Sequence, residues 1–229
     1  MLTSQTHLGP GQLGRSQACG AEPPISPWCA SEWKRAFDIA IVSLLLAVTW
    51  PIFLLVAAAI RLASPGPVLF RQVRVGLDGK QFQLVKFRSM HVAADRLGPG
   101  ITGQNDPRIY PLGRLLRKWK LDELPQLFNV LQGNMTMVGP RPDLPEFCAV
   151  LDQEQRMILR LRPGVTGAAT LVYRDEERIL SSHSQGGITQ YYVNTIYPDK
   201  IRLDLQYARK ASLAGDLRIL TQTVTAIFS

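Results

Sequence analysis

The sequence predicts an α+β, helix-rich chain in which a re-entrant membrane helix hairpin joins one compact, cytosol-facing domain with interfacial amphipathic helices and a small β-hairpin. Three observations lead there. An apolar run from Ala36 to Ile60, AFDIAIVSLLLAVTWPIFLLVAAAI, holds a single charge, Asp38. A segment following Pro67, VLFRQVRVGLDGKQFQLVKFRSM, alternates apolar and polar residues around Asp78-Gly79. Apolar residues then recur three and four apart in PLGRLLRKWKL and in the closing LDLQYARKASLAGDLRILTQTVTAI. At 229 residues the chain suffices for one domain with its own core plus a membrane element.

Residues 1–30, with HLGPGQLGRSQACGAEPPISP among them, are rich in Gly, Pro, Ser and Gln and are expected to form a disordered tail. They lack the charged start, apolar centre and small-residue cleavage site of a signal peptide. The three cysteines, Cys19, Cys29 and Cys148, are odd in number and lack CxxC spacing, which argues against a disulfide framework or a zinc site. A reducing, cytosol-facing setting fits them.

Residues 31–64 form the expected membrane element. At about 1.5 Å per residue the apolar run can cross a hydrocarbon core of roughly 30 Å. Two features favour a return to the same face. Pro51, next to Trp50, removes a backbone donor near the middle and should kink the helix. Both flanks are basic, with Lys34 and Arg35 before the run and Arg61, Arg71 and Arg74 after it, as cytoplasmic flanks are. A straight anchor with a tolerated proline and a buried core helix are the competing readings.

Residues 65–229 form the domain. The alternating segment reads as a β-hairpin turning at Asp78-Gly79, with Arg71, Arg74, Lys80, Lys86 and Arg88 on it. Residues 91–110 read as loop. PLGRLLRKWKL, Pro111 to Leu121, places Leu112, Leu115, Leu116 and Trp119 on one helical stripe opposite Arg114, Arg117, Lys118 and Lys120, as in helices that lie in a bilayer interface. A helix is expected from Asp143 to Leu161, a turn at RPGVTG (Arg162 to Gly167), and one or two helices from Ile201 to Ile227 with a break near Gly215.

The central stretch KLDELPQLFNVLQGNMTMVGPRP carries the chemistry. Asp122 and Glu123 are adjacent carboxylates in a basic setting, which offsets their repulsion and keeps both ionised. Such a pair can bind a hard cation such as Mg²⁺ with one group and serve as nucleophile or base with the other. Pro125 disfavours helical dihedrals at Leu124, so the pair is expected at or near a helix end; an acid pair at a helix start is the plainer alternative. In Gly139-Pro140-Arg141-Pro142 two prolines restrict one arginine, whose fork matches phosphate oxygens. Arg162 repeats the offer more weakly.

There is no GxxxxGK[ST], no GxGxxG after a strand and no HExxH, and the three histidines are scattered. A net charge of +8 points to anionic partners, but no aromatic platform for nucleic acid is present.

Taken in order, KRAFDIAIVSLLLAVTWPIFLLVAAAIRLASPGPVLFRQVRVGLDGKQFQLVKFRSM, RKWKLDELPQLFNVLQGNMTMVGPRP, RPGVTG and LDLQYARKASLAGDLRILTQT resemble the bacterial sugar transferases of the monotopic phosphoglycosyl transferase family, over about residues 33–225. The resemblance implies transfer of a sugar-1-phosphate from a UDP-sugar to undecaprenyl phosphate at the cytoplasmic face of the bacterial inner membrane, with release of UMP. It implies Asp122 as nucleophile through a covalent phosphosugar intermediate and Glu123 as ligand to Mg²⁺. Arg117 and Arg141 would bind phosphate and nucleotide, and Lys86 and Arg162 would be basic groups near the site. The helix broken at Trp50-Pro51 would be the re-entrant membrane hairpin. UDP-sugar, undecaprenyl phosphate and membrane lipid are the expected partners, a homodimer is compatible, and nucleic acid is not expected.

Two departures stand out. The family usually has Ser before the hairpin proline where this chain has Trp50, and Thr49 is the nearest hydroxyl able to replace it. After RPGVTG most members continue as a tryptophan-containing strand, whereas this chain runs AATLVYRDEERIL, a segment placed to shape sugar specificity. From the residues alone, a basic membrane adaptor without catalysis and a lipid diphosphate hydrolase remain the rivals.

Overall fold

The computed structural model of the chain describes residues 24–94, 98, 100–103, 106–182 and 187–228. Of the stretch read as a tail, residues 1–23 lie outside these. Pro27–Ala30 form a 3-10 turn, and Ser26 ties it down by donating its hydroxyl to Ala211 O at 2.8 Å. The folded chain therefore begins ahead of residue 31.

Ser31 caps the first helix, α1 (Glu32–Ala63), by accepting from Lys34 N at 3.1 Å. Among the described residues it is the one helix long and apolar enough to cross a membrane. Leu44, Val48, Leu54 and Leu55 are exposed along it, as are Trp50 and Pro51. Pro51 sits inside a helix assigned as one continuous element. Two residues earlier the Thr49 hydroxyl donates to Leu45 O at 2.6 Å, a side-chain back-bond of the kind that bends helices.

The other side of α1 packs on the domain at both ends. Val42 joins Leu127, Val130, Met135 and Ile219 in one apolar cluster, while Val56 and Ile60 join Phe87 and Leu116 in another. The Phe53 ring lies 5.4 Å from Phe87 and 5.7 Å from Phe128. Polar ties fix the N-terminal end. Lys34 Nζ donates to Asp216 Oδ2 at 2.6 Å, Asp38 accepts from the Thr136 hydroxyl and from Met137 N, and Arg35 donates to the Val130 and Leu131 carbonyls. These buried charges are each met by a partner, as burial requires.

The expected hairpin is present. Strands β1 (Leu69–Val75) and β2 (Gln81–Phe87) pair antiparallel from Leu69↔Phe87 to Val75↔Gln81. The turn needs two left-handed residues in succession, Asp78 at φ 56° and Gly79 at φ 74°. On the other side of β2, Asn129 donates to Gln83 O at 2.7 Å and accepts from Val85 N at 3.0 Å.

Helix α2 (Pro111–Lys118) is shorter than the spacing predicts. It stops because Lys120 turns left-handed, at φ 55°, and Leu121–Glu123 follow as a 3-10 turn before α3 (Gln126–Leu131). Leu124 corrects the expectation drawn from Pro125: it is helical, at φ −51° and ψ −38°. Its N–H bonds to Leu121 O and its carbonyl accepts from Leu127 N, and these local bonds override the pre-proline preference.

RPGVTG is a strand rather than a turn. Strands β3 (Thr136–Val138) and β4 (Gly164–Thr166) pair in parallel. The approach is possible because Gly164 has no side chain: a Cβ there would lie 2.2 Å from Gly139 N. The helix expected over Asp143–Leu161 divides into α4 (Pro145–Ala149) and a 3-10 turn, Gln155–Arg160. Asp152 and Gln155 start the second piece by reciprocal side-chain bonds to each other's N–H, at 2.8 and 3.1 Å.

Helices α5 (Ala168–Val172), α6 (Glu176–Ser182) and α7 (Ile188–Tyr191) follow, and a π-helical turn, Tyr192–Ile196, leads into α8 (Tyr197–Lys210). The last helix, α9 (Leu213–Phe228), begins at Ser212, whose hydroxyl accepts from Gly215 N at 3.1 Å. The break therefore falls at Ala211-Ser212, and Gly215 belongs to the first turn of α9. Phe147, Leu161, Leu180, Ile196, Ile201 and Leu205 form the largest part of the remaining core.

Candidate active site

The two acids sit on the 3-10 turn between α2 and α3, and what surrounds them comes from distant parts of the chain. Gly113 lets α2 press directly on the strand exit after β2: a Cβ there would fall 1.9 Å from Ser89 O. Nearby the Tyr110 hydroxyl donates to Arg88 O, which fixes KFRSM against the start of α2. Lys86, on β2, thereby faces the acid turn. Arg141 reaches it from the opposite side, carried by the chain leaving β3.

Glu123 accepts from both cations: Lys86 Nζ lies 3.1 Å from Oε1 and Arg141 Nη2 lies 2.6 Å from the same oxygen. Burial would raise the Glu123 carboxyl, but Arg141 and Lys86 outweigh it and hold the group well below the usual carboxylate range. Arg141 is held charged above its ordinary value, first by Glu123. Lys86 is pushed down to about 8 by burial, with Glu123 opposing the shift.

Asp122 has the opposite environment. It is 4 % exposed, and its Oδ1 is buried without a hydrogen-bond partner. Burial, then Glu123, raises its carboxyl above the usual range, against Lys86, Arg117 and Lys120. Two neighbouring acids thus have pKa values driven apart, one a firmly ionised anchor and the other a poorly solvated, more basic oxygen. That is a suitable pairing for a fixed electrostatic group and a nucleophile.

Both acids line a cavity of about 1420 Å³. Lys86, Arg117 and Arg141 line it as well, so five of the residues singled out in the sequence converge. Arg117 is engaged by the Glu177 carboxylate of α6. One wing of the cavity is apolar, formed by Ile41 and Leu45 of α1 with Leu217, Leu220 and Val224 of α9. Arg162 is not part of the cavity. It lines a separate small pocket of about 10 Å³ with Lys34, Thr136 and Tyr207, and its contribution near the site is its backbone, beside Gly139. Trp50 does not line the cavity either, whereas Thr49 does.

Sequence reasoning passed over Arg74, Asp143, Tyr192 and Lys200, which also line the cavity. Arg74 was readable only as one cation among several on the hairpin. Asp143 directly follows the Gly-Pro-Arg-Pro motif, whereas Tyr192 and Lys200 sit in segments without one, and pairing across the fold is what brings them in.

Among the described residues no group of three or more His, Cys, Asp or Glu could enclose a metal ion. Glu123 Oε1 is shared by Lys86 and Arg141, while Oε2, met by Arg141 Nη1 at 3.4 Å, keeps acceptor capacity for an ion such as Mg²⁺, which takes one or two carboxylates and completes its shell with substrate phosphates and water.

Comparison with known proteins gives a consistent picture. A family model described as bacterial sugar transferase matches residues 29–229. The UDP-glucose:undecaprenyl-phosphate glucose-1-phosphate transferase of Escherichia coli (strain K12) is 38% identical over 200 residues, covering 83% of this chain and 39% of that protein. The Caulobacter vibrioides protein of the same name is 37% identical over 201 residues, covering 86% of this chain and 70% of its own. The UDP-N-acetylgalactosamine-undecaprenyl-phosphate N-acetylgalactosaminephosphotransferase of Aeromonas hydrophila is 33% identical over 204 residues, covering 86% and 44%. This chain thus spans less than half the length of two of these relatives.

Proposed function

The chain belongs to the bacterial sugar transferase family, and from that premise we propose that it transfers a sugar-1-phosphate from a UDP-sugar to undecaprenyl phosphate, releasing UMP, at the start of polysaccharide synthesis. The observation that carries this reading is the asymmetry of the acid pair: Glu123 clamped by Lys86 and Arg141, and Asp122, at the cavity wall, with a buried oxygen that has no partner.

In this reading an Asp122 oxygen attacks the sugar-bearing phosphorus of the donor. A new P–O bond forms, the bond from that phosphorus to the bridging oxygen breaks, and UMP departs with the electron pair. The acceptor phosphate oxygen then attacks the same phosphorus, and the Asp122 carboxylate is released. Arg117 and Arg141 would offset phosphate charge during both displacements. Glu123, with substrate phosphates, would hold Mg²⁺, which would supply further neutralisation of the diphosphate. The apolar wing between α1 and α9 fits a lipid acceptor entering from the membrane side.

The membrane topology proposed is re-entrant, with both ends of α1 on the cytoplasmic face. A straight helix of this length would be ~48 Å long and would place its ends on opposite sides of a bilayer. Yet Lys34 and Asp38 at one end and Val56 and Ile60 at the other all pack on the one domain, which supports a return to the same face.

The test is to incubate membranes carrying wild type or Asp122→Asn with radiolabelled UDP-sugars and Mg²⁺, and to follow label on protein and on organic-soluble lipid. The reading requires label on both for at least one donor with wild type, and on neither with Asp122→Asn. Wild type that labels neither with every donor would overturn it.

A further inference from the structure

Beside the acid pair the cavity wall changes character. Arg74, Asp143, Glu176, Tyr192 and Lys200 line it there. Lys200 is 6 % exposed and donates to Glu176 Oε2 at 2.7 Å and to the Tyr192 hydroxyl at 3.4 Å. Arg74 donates to Pro142 O at 3.0 Å, from the residue next to Arg141. Arg141 couples the two regions, because Glu123 and, more weakly, Glu176 both stabilise its charge. Burial raises the Asp143 carboxyl above the usual range, against Lys200, Arg74 and Arg141.

The two parts of the cavity differ in charge balance. Around the acids, Lys86, Arg117, Lys120 and Arg141 outnumber Asp122 and Glu123, as phosphate binding needs. In the neighbouring wall two cations, Arg74 and Lys200, meet two carboxyl groups, Asp143 and Glu176, and the Tyr192 phenol accepts from Lys200. A wall of this kind has little net attraction for an anion but offers donors and acceptors at fixed places. Lys200 has three donors, two of them directed to Glu176 and Tyr192; Glu176 is a partly buried carboxylate with acceptor capacity to spare. The chemistry that matches is a neutral ring bearing several hydroxyls.

We propose that Glu176 and Lys200, backed by Asp143, Arg74 and Tyr192, are the residues that read the hydroxyl pattern of the transferred sugar. The inference rests on the transferase reading and adds the donor's specificity determinant to it. It also gives a role to the segment after RPGVTG, since Glu176 belongs to YRDEER. A site built to hydrogen-bond a hydroxyl rejects a donor whose hydroxyl points elsewhere, because its own polar groups are then left unpaired.

The experiment uses the full chain in liposomes with undecaprenyl phosphate and Mg²⁺. UMP release is followed with UDP-glucose, UDP-galactose, UDP-N-acetylglucosamine and UDP-N-acetylgalactosamine, and UMP serves as a competitive inhibitor that lacks the sugar. Glu176→Gln is isosteric and Lys200→Met keeps the aliphatic stem. In both, the ratio of kcat/KM between the preferred donor and its epimer is expected to fall on the order of tenfold, with UMP inhibition within twofold of wild type. Should Lys200→Met fail to fold, Glu176→Gln alone decides. Ratios unchanged in a folded, active variant would overturn the proposal and leave the transferase reading standing, as would UMP inhibition that weakens in step with donor preference. Wild type that releases no UMP from any donor would defeat the transferase reading and this proposal together.

Discussion

Arg141 Nη2 stands 2.6 Å from Glu123 Oε1, so the arginine framed by two prolines is directed at the second acid of the pair. Lys86 shares that oxygen. Replacing Arg141 by Gln leaves a buried carboxylate with one cation, and Glu123 is then expected to titrate closer to the ordinary carboxylate range. Activity should fall by at least tenfold, with the acidic limb of the pH–rate profile moved upward. The measurement is kcat/KM against pH for wild type and Arg141→Gln.

The alkaline side depends on Lys86. With its pKa lowered to about 8, the charged amine is disfavoured by folding. A depressed basic group costs stability in full below its folded value, and the cost disappears as pH rises towards the ordinary lysine value of roughly 10.4. Glu123, a depressed acid, contributes stability above the usual carboxylate range that is lost as pH falls through its folded value. Activity is therefore expected to decline as pH rises through about 8, while Lys86→Arg, which stays charged, should move that decline to higher pH.

Asp122→Asn separates chemistry from folding. Turnover should drop by on the order of a thousandfold or more, as for loss of a nucleophile. The midpoint of thermal unfolding should rise, because a buried, unpartnered carboxylate becomes neutral. Differential scanning calorimetry beside the transfer assay checks both; a fall in the unfolding midpoint would contradict the assigned environment.

Gly164→Ala tests whether β4 supports Arg141. The added methyl would meet Gly139 N at 2.2 Å and Thr166 O at 2.5 Å, both backbone atoms that cannot swing aside. A destabilisation of about 1–3 kcal/mol is expected, measured by denaturant unfolding. The donor KM should rise with it, since Gly139, which the methyl would displace, lies two residues before the arginine.

Arg117 reaches the cavity but is held by Glu177. Glu177→Gln should free it and tighten competitive inhibition by UMP severalfold, the scale expected for a partly exposed ion pair. Arg117→Gln should weaken that inhibition.

Topology is tested with Glu32→Cys and Ala63→Cys, the exposed first and last residues of α1, in a background lacking the native cysteines. Labelling of both from the cytoplasmic face alone is expected; labelling from opposite faces would exclude the hairpin.

Much of this arrangement was legible because local rules govern it. Asp78-Gly79 announces its own turn, and Lys86, Arg117, Asp122, Glu123 and Arg141 lie in motifs dense enough to be picked out. What was not legible depends on contacts between remote segments. RPGVTG has the composition of a turn, and it becomes a strand because Gly139 and Gly164 allow two backbones to touch. Leu124 disobeys its proline because neighbouring hydrogen bonds fix it. Arg162 looked like a second phosphate ligand, yet it lines a different pocket, since the strand that follows it needs its backbone beside Gly139.

A ribbon of only two strands leaves borders open to any extended peptide in a crowded cell. Asn129 seals one such border by imitating a neighbouring strand, one amide serving both Gln83 O and Val85 N. Because the same short helix also leads away from the acid turn, the guard against stray pairing and the proposed seat of the chemistry are inherited together. A leucine substituted there would bare two backbone groups to foreign chains and should show itself first as self-association.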